Sequence, residues 1–174
     1  VRVQPTGDTA PEVWLLGSSD YSARLAAAKG MPYVFAHHFA GDGDSTAATM
    51  ALYRNSFQPS PGCAAPRTFL TVNASVAESA EEAHRHALPQ LLMMLALRTG
   101  APLVAQRTVE DAESILDAGI PESHERMLDT MRERWVIGDP ATARARVREL
   151  ATTYGVDEVM INPVGGAFAG GDPR

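Results

Sequence analysis

Val13-Trp14-Leu15-Leu16-Gly17-Ser18-Ser19-Asp20-Tyr21-Ser22, continued by Ala23-Arg24-Leu25-Ala26-Ala27-Ala28-Lys29-Gly30, decides how the chain is read. Four apolar residues bounded by Pro11 and Gly17 read as a short, fully buried strand, and the alanine-rich segment closed by Gly30 reads as a helix. A strand therefore runs into a helix through Gly-Ser-Ser. Ser18 or Ser19 stands where an N-cap is wanted, and Ser22 falls in the first turn. The unpaired N–H groups at such a helix start point past the strand end, and with the helix dipole and two or three hydroxyls they suit a phosphate. Gly17 would let the backbone approach that anion closely. The plainer reading of the same serines is that they only cap the helix.

Outward from this unit, Met31-Pro32 breaks the chain and Tyr33-Val34-Phe35-Ala36 is again a short buried run, so a second strand follows at once. A tight helix-to-strand connection between two buried strands favours parallel, right-handed pairing with the helix packed outside. His37-His38-Phe39 ends the second strand, and Gly41-Asp42-Gly43-Asp44-Ser45 precedes a helix over 46–57. A β-branched and aromatic run predicts a third strand over 67–75. A long helix over 78–97 follows, with Ser79 near its cap and Glu78, Glu81 and Glu82 at its start. Residues 98–134 are less regular, with helical patterns over 109–118 and 122–134. Trp135-Val136-Ile137-Gly138-Asp139-Pro140 reads as a stop and restart in which Asp139 caps and Pro140 opens a helix over 141–154. Residues 157–162 form the fourth strand. Four strands separated by helices predict an α/β fold with a parallel sheet. A closed (β/α)8 TIM barrel needs about 250 residues, so half of one fits this length.

The 174 residues are 45% hydrophobic with a net charge of −6 and a pI near 5.3, and the basic residues are scattered. That balance argues against a nucleic-acid or acidic-membrane surface. No apolar run reaches the roughly 18 residues of a membrane span. The one cysteine, Cys63, has no partner for an internal disulfide, which suits a reducing compartment, the cytoplasm. Residues 1–10 read as a linker, 11–164 as the folded unit and 165–174, with Gly165, Gly166, Gly170 and Gly171, as a flexible tail. A start at Val1 rather than methionine points to a cut, processed or engineered terminus.

With the strand, the Gly17-Ser18-Ser19 turn, the helix and the run Gly30-Met31-Pro32-Tyr33-Val34-Phe35-Ala36-His37-His38-Phe39 in place, the chain closely resembles the bacterial luciferase-like flavin-dependent monooxygenases. Val136-Ile137-Gly138-Asp139-Pro140 through Gly155-Val156-Asp157-Glu158-Val159-Met160-Ile161 resembles that family's last βα unit. The resemblance runs from about Pro11 to Asn162. It implies the carboxyl-terminal half of a (β/α)8 TIM barrel, about four parallel strands with outer helices, the amino-terminal half being missing. It further implies an oxidoreductase that uses reduced FMN and O2 on a small organic substrate, with a separate flavin reductase as a partner and deazaflavin as the second choice of cofactor. By position, Gly17, Ser18, Ser19, Tyr21 through its backbone, and Ser22 would hold the flavin phosphate.

His37 and His38 are the candidate catalytic residues. Adjacent residues on a strand end point to opposite faces, so at most one faces the barrel mouth and the two cannot share a metal. A loop hydrogen bond and a pocket role in oxygen or proton chemistry both stay open for them. His84 and His86 are expected to be solvated, and Met93 and Met94 to fill core. Two other chemistries are set aside. Ser18-Ser19-Asp20 lacks the G-x-S-x-G spacing of a nucleophile elbow, and Gly41-Asp42-Gly43 lacks the third glycine of a dinucleotide fingerprint. The alternative to catalysis is a half-barrel that assembles as a homodimer or with its missing half, burying Leu15, Val34, Phe35, Leu70, Val72 and Met160.

Overall fold

The computed structural model describes residues 11–39 and 45–170. The expected linker at 1–10, the Gly41-Asp42-Gly43 run and residues 171–174 lie outside them. Five strands and six helices follow in the order β1 (Leu15–Gly17), α1 (Asp20–Lys29), β2 (Tyr33–Phe35), a 3-10 turn (His37–Phe39), α2 (Ser45–Ser56), β3 (Thr68–Val76), α3 (Ala80–Thr99), α4 (Val109–Asp117), α5 (Glu122–Arg134), β4 (Val136–Gly138), α6 (Pro140–Tyr154) and β5 (Glu158–Pro163).

Every strand pairing is parallel: β1 with β2, β2 with β3, and β3 with both β4 and β5. Leu70 is opposite Phe35 on one side and Val159 on the other, while Ala74 is opposite both Val136 and Pro163. Strands β2 and β4 therefore share one edge of β3 end to end, and β5 takes the other. This mixed α/β arrangement, a parallel sheet with helices against it, is that of half a (β/α)8 barrel. The described sheet has five strands, the four expected ones and β4. Val136–Gly138 reads in the sequence as a stop before a helix, and it pairs with Ala74, Ser75 and Val76 of β3, past the end of β2.

Alternation along the strands sorts the two faces. Leu70, Val72 and Ala74 of β3 join Tyr33 and Phe35 of β2 in a core against α1, α2 and α6. Ala23, Ala26 and Ala27, all fully buried, let α1 lie close to the sheet. Gly30 ends α1 in the left-handed region at φ 58°, its N–H turned back to Ala26 and Ala27. A second core joins Leu91, Leu92 and Leu95 of α3 to Leu128 and Met131 of α5, with Trp135 and Ile137 packed in. Val136 enters the first core and Ile137 the second, so β4 is the joint between them.

The opposite face of β3 carries Thr71, Asn73 and Ser75, each 2% exposed. Asn162 of β5 donates to Asn73 Oδ1 at 2.7 Å, and Ser75 donates to the Ala83 carbonyl at 2.8 Å. This face is consequently polar and internally paired, which corrects the expectation of an uncovered apolar layer. Phe35, Leu70, Val72 and Val34 are buried, Leu15 packs against the first core, and of the six residues named only Met160 is half exposed. Residues 165–170, expected as part of a flexible tail, lie along α3 and α4: Val109 N donates to the Ala167 carbonyl at 2.9 Å, and Ala169 N to Glu110 at 2.9 Å.

Candidate functional site

Strands β1 and β2 end in register, Gly17 opposite Phe35, so Ser18-Ser19 and His37-His38 leave the same edge of the sheet at its carboxyl end. Parallel α/β sheets place their sites at that end, where helix N-termini converge. Ser19 is the N-cap of α1, with extended backbone, and it forms a reciprocal capping box with Ser22. That resolves the choice between Ser18 and Ser19 as cap.

The turn is held from inside. Ser22 is buried, and its hydroxyl donates to the Ser19 carbonyl at 2.7 Å, while Tyr33 donates to the Gly17 carbonyl at 3.0 Å. The Ser22 and Tyr33 hydroxyls also lie 3.0 Å apart. A Cβ on residue 17 would come within 2.3 Å of Ser22 Oγ, so the glycine lets the helix close on the strand. Ser22 and Gly17 thus build the turn. Ser18 and Ser19 are exposed at its tip, and the Tyr21 side chain is 76% exposed, leaving its backbone as the contribution to the helix start.

Two features bear on whether an anion fits. The Asp20 carboxylate, in the first turn, is drawn aside by Thr49 of α2, which donates to it at 2.9 Å. The cap of α1 is a neutral serine, whereas the cap of α6 is Asp139, which accepts from the N–H groups of Ala141 and Thr142 at 2.8 and 3.0 Å. Those bonds, that from Thr142 first, hold the Asp139 carboxyl below its ordinary range. The α6 start is already occupied by a carboxylate, whereas the cap of α1 is neutral and its capping box engages the Ser19 and Ser22 N–H groups. The donor set at Ser18, Ser19 and Tyr21 N–H fits a phosphate.

The two histidines separate in role. Both sit in the 3-10 turn and not on a strand, so their divergence comes from the turn and from what each packs against. His37 is 6% exposed, lies 5.4 Å from the Tyr154 ring, and shares a hydrogen bond with Thr46 through Nδ1 at 3.2 Å. Its Nε2 is buried without a partner among the described residues, and desolvation, with Arg134 and Arg146 nearby, pushes the imidazole down to about 4. His38 is half-buried over the polar face of the sheet, with a short hydrogen bond between its Nδ1 and the Thr71 hydroxyl. Burial lowers its basicity as well.

Thr71, Tyr33 and Thr49 escaped the sequence reading. The alternation of Thr71, Asn73 and Ser75 with Leu70, Val72 and Ala74 was the available signal for a polar face. His86, expected to be solvated, is partly covered: it lies 5.1 Å from the Phe168 ring, and its Nε2 is buried. Among the described residues no cluster of His, Cys, Asp and Glu could hold a metal, and no helix is long and apolar enough to cross a membrane.

The chain is similar to known proteins over nearly its whole length. The chain is 33% identical over 162 residues to YceB of Bacillus subtilis, covering 92% of this chain and 47% of YceB. Its fold matches the crystal structure of apo-MsnO8 with a TM-score of 0.78 at 28% identity, over 95% of this chain and 49% of that one. A more distant likeness, of fold alone, is to the oxygenating constituent of 3,6-diketocamphane monooxygenase from Pseudomonas putida, a type II Baeyer-Villiger monooxygenase solved with FMN. Here the TM-score is 0.56 at 19% identity, over 92% of this chain and 43% of that one. The chain spans about half the length of the curated relatives it matches. A model of the luciferase-like monooxygenases matches residues 1–158, and the chain belongs to that family.

Proposed function

We propose that this chain is the cofactor-phosphate-binding, carboxyl-terminal half of a luciferase-like flavin-dependent monooxygenase, an oxidoreductase that uses reduced FMN and O2 on a small organic substrate. The observation that carries this reading is the neutrally capped start of α1 at the carboxyl end of the sheet. Ser18, Ser19 and the Tyr21 N–H would hold the phosphate, with Gly17 and Ser22 shaping the turn beneath. FMN supplies the electrons and the site of oxygen activation when bound. A separate flavin reductase would deliver it reduced, and deazaflavin is the second choice. FMN in the Pseudomonas putida neighbour supports the first choice. The rival reading, a non-catalytic half-barrel that pairs with a second copy or with an amino-terminal half, draws on the half exposure of Leu16 and Met160.

Binding of FMN and riboflavin to the full chain, followed by flavin fluorescence, tests the phosphate site. A charge-assisted hydrogen bond contributes about 1.5–3 kcal/mol, so FMN should bind roughly ten- to a hundredfold more tightly than riboflavin. Ser19→Asp keeps an N-cap of equal quality but sets a carboxylate against the phosphate. That variant should melt like the parent and lose the preference for FMN. Equal affinities for the two flavins in the parent would dismiss the site.

A further inference from the structure

Thr71 lies on the polar face of β3, 2% exposed, and its hydroxyl has two partners. One is the Phe35 carbonyl oxygen at 3.2 Å, and the other is His38 Nδ1. A carbonyl oxygen can only accept, and the threonine hydroxyl has one proton. Both contacts are satisfied together only when that proton goes to Phe35 and the hydroxyl accepts from an Nδ1–H of His38. A neutral imidazole carries a single proton, and the hydrogen bond made by one nitrogen settles which nitrogen holds it. Nε2 is then the bare nitrogen. It has no partner among the described residues, and His38 is not fully buried.

The Phe35 carbonyl that orients Thr71 belongs to the last residue of β2, opposite Gly17 and next to the turn that opens α1. The relay Phe35, Thr71, His38 therefore runs from a fixed strand to the same sheet end as the Ser18-Ser19 tip. His37 offers a contrast in the same turn. Its Nδ1 shares a proton with Thr46, but its Nε2 is sealed in the helix layer, out of any ligand's reach.

We propose that Thr71 is a positioning residue that holds His38 in the Nδ1-protonated tautomer, so that Nε2 is presented at the carboxyl end of the sheet as an acceptor for an N–H or O–H donor of a bound ligand. A neutral acceptor selects a donor and does not attract an anion, so His38 complements the phosphate site and does not extend it. That the donor belongs to a flavin rests on the function proposed above. The tautomer itself does not.

The test is long-range proton–nitrogen NMR on the full chain with 15N-labelled histidine, the His38 signals being identified by their loss in His38→Gln. The parent should show a pyrrole-type Nδ1 and a pyridine-type Nε2. Thr71→Ser, which keeps the hydroxyl, should preserve that pattern, while Thr71→Val should release it to a mixture or to Nε2–H. FMN and riboflavin should each shift the Nε2 resonance, and inorganic phosphate alone should leave it in place. A parent already protonated on Nε2, a pattern indifferent to Thr71→Val, or an Nε2 that answers to phosphate would overturn the assignment. Where Thr71→Val does not fold, the parent and Thr71→Ser spectra still decide. An intact Nδ1–H with no response to a flavin that fluorescence shows to be bound would remove the ligand role alone, and a flavin that does not bind would remove the function proposed above; the action of Thr71 on His38 stands in both cases.

Discussion

At the scale of single residues, neighbours in sequence do different work because of what each is packed against. Burial pushes the His37 imidazole to about 4 from an ordinary value of 6.5, through desolvation first and the fields of Arg134, Arg146 and His38 next. Between those values the unfolded chain binds a proton that the folded chain refuses. Stability is therefore complete above about pH 6.5, falls as pH is lowered toward about 4, and levels off below. At about 1.4 kcal/mol per pH unit the loss is a few kcal/mol. Urea titrations at pH 7 and pH 5 should show it in the parent, and His37→Gln should flatten that part of the profile. An equal pH dependence in the variant would move the effect to another group. Which histidine would be buried was not legible, since His37-His38 is one dipeptide and only the packing of α2 and α6 tells the two apart.

Elements are bounded where the sequence expected them when a cap carries the boundary. Ser19, Ser79 and Asp139 cap α1, α3 and α6, and Gly30 and Gly155 close α1 and α6 in the left-handed region. These are local interactions, written in residues next to one another. The segment after β5 is different, because its course depends on contacts far along the chain. A Cβ on Gly166 would come within 2.6 Å of Val109 Cγ2 and 3.0 Å of the Pro89 ring. Gly166→Ala should therefore lift residues 165–170 from α3 and α4. Hydrogen exchange at the Val109 N–H, which donates to Ala167, should rise well above the parent rate while the β3 amides stay protected. Unaltered exchange at Val109 would show that the segment accommodates the methyl group.

Across the whole molecule, β1, β4 and β5 each keep an unpaired edge in the described sheet, and Leu16 in β1 and Met160 in β5 are 55% and 50% exposed. Edge strands with exposed apolar side chains recruit partners. We predict a two-fold dimer at micromolar concentration by light scattering, with low turnover of reduced FMN by this chain on its own. Leu16→Lys combined with Met160→Lys should give monomers that remain folded by circular dichroism. A parent that is monomeric would show that these edges need no cover. The exposed area is narrower than the sequence suggested, because Leu70, Val72 and Phe35 are covered by the chain's own helices and the opposite face is polar.

The α/β class, the parallel βαβ start and the caps at Ser79 and Asp139 could be read from the amino-acid order, because each depends on short-range spacing: apolar runs of strand length, serine or aspartate before a helix, glycine after one. The fifth strand, the split into two cores and the bond between His38 and Thr71 came only with the folded chain. Each of these joins residues distant along the chain, as Ala74 joins Val136 and Pro163. Such a pairing is favoured only once the intervening helices have packed, so no local pattern can announce it.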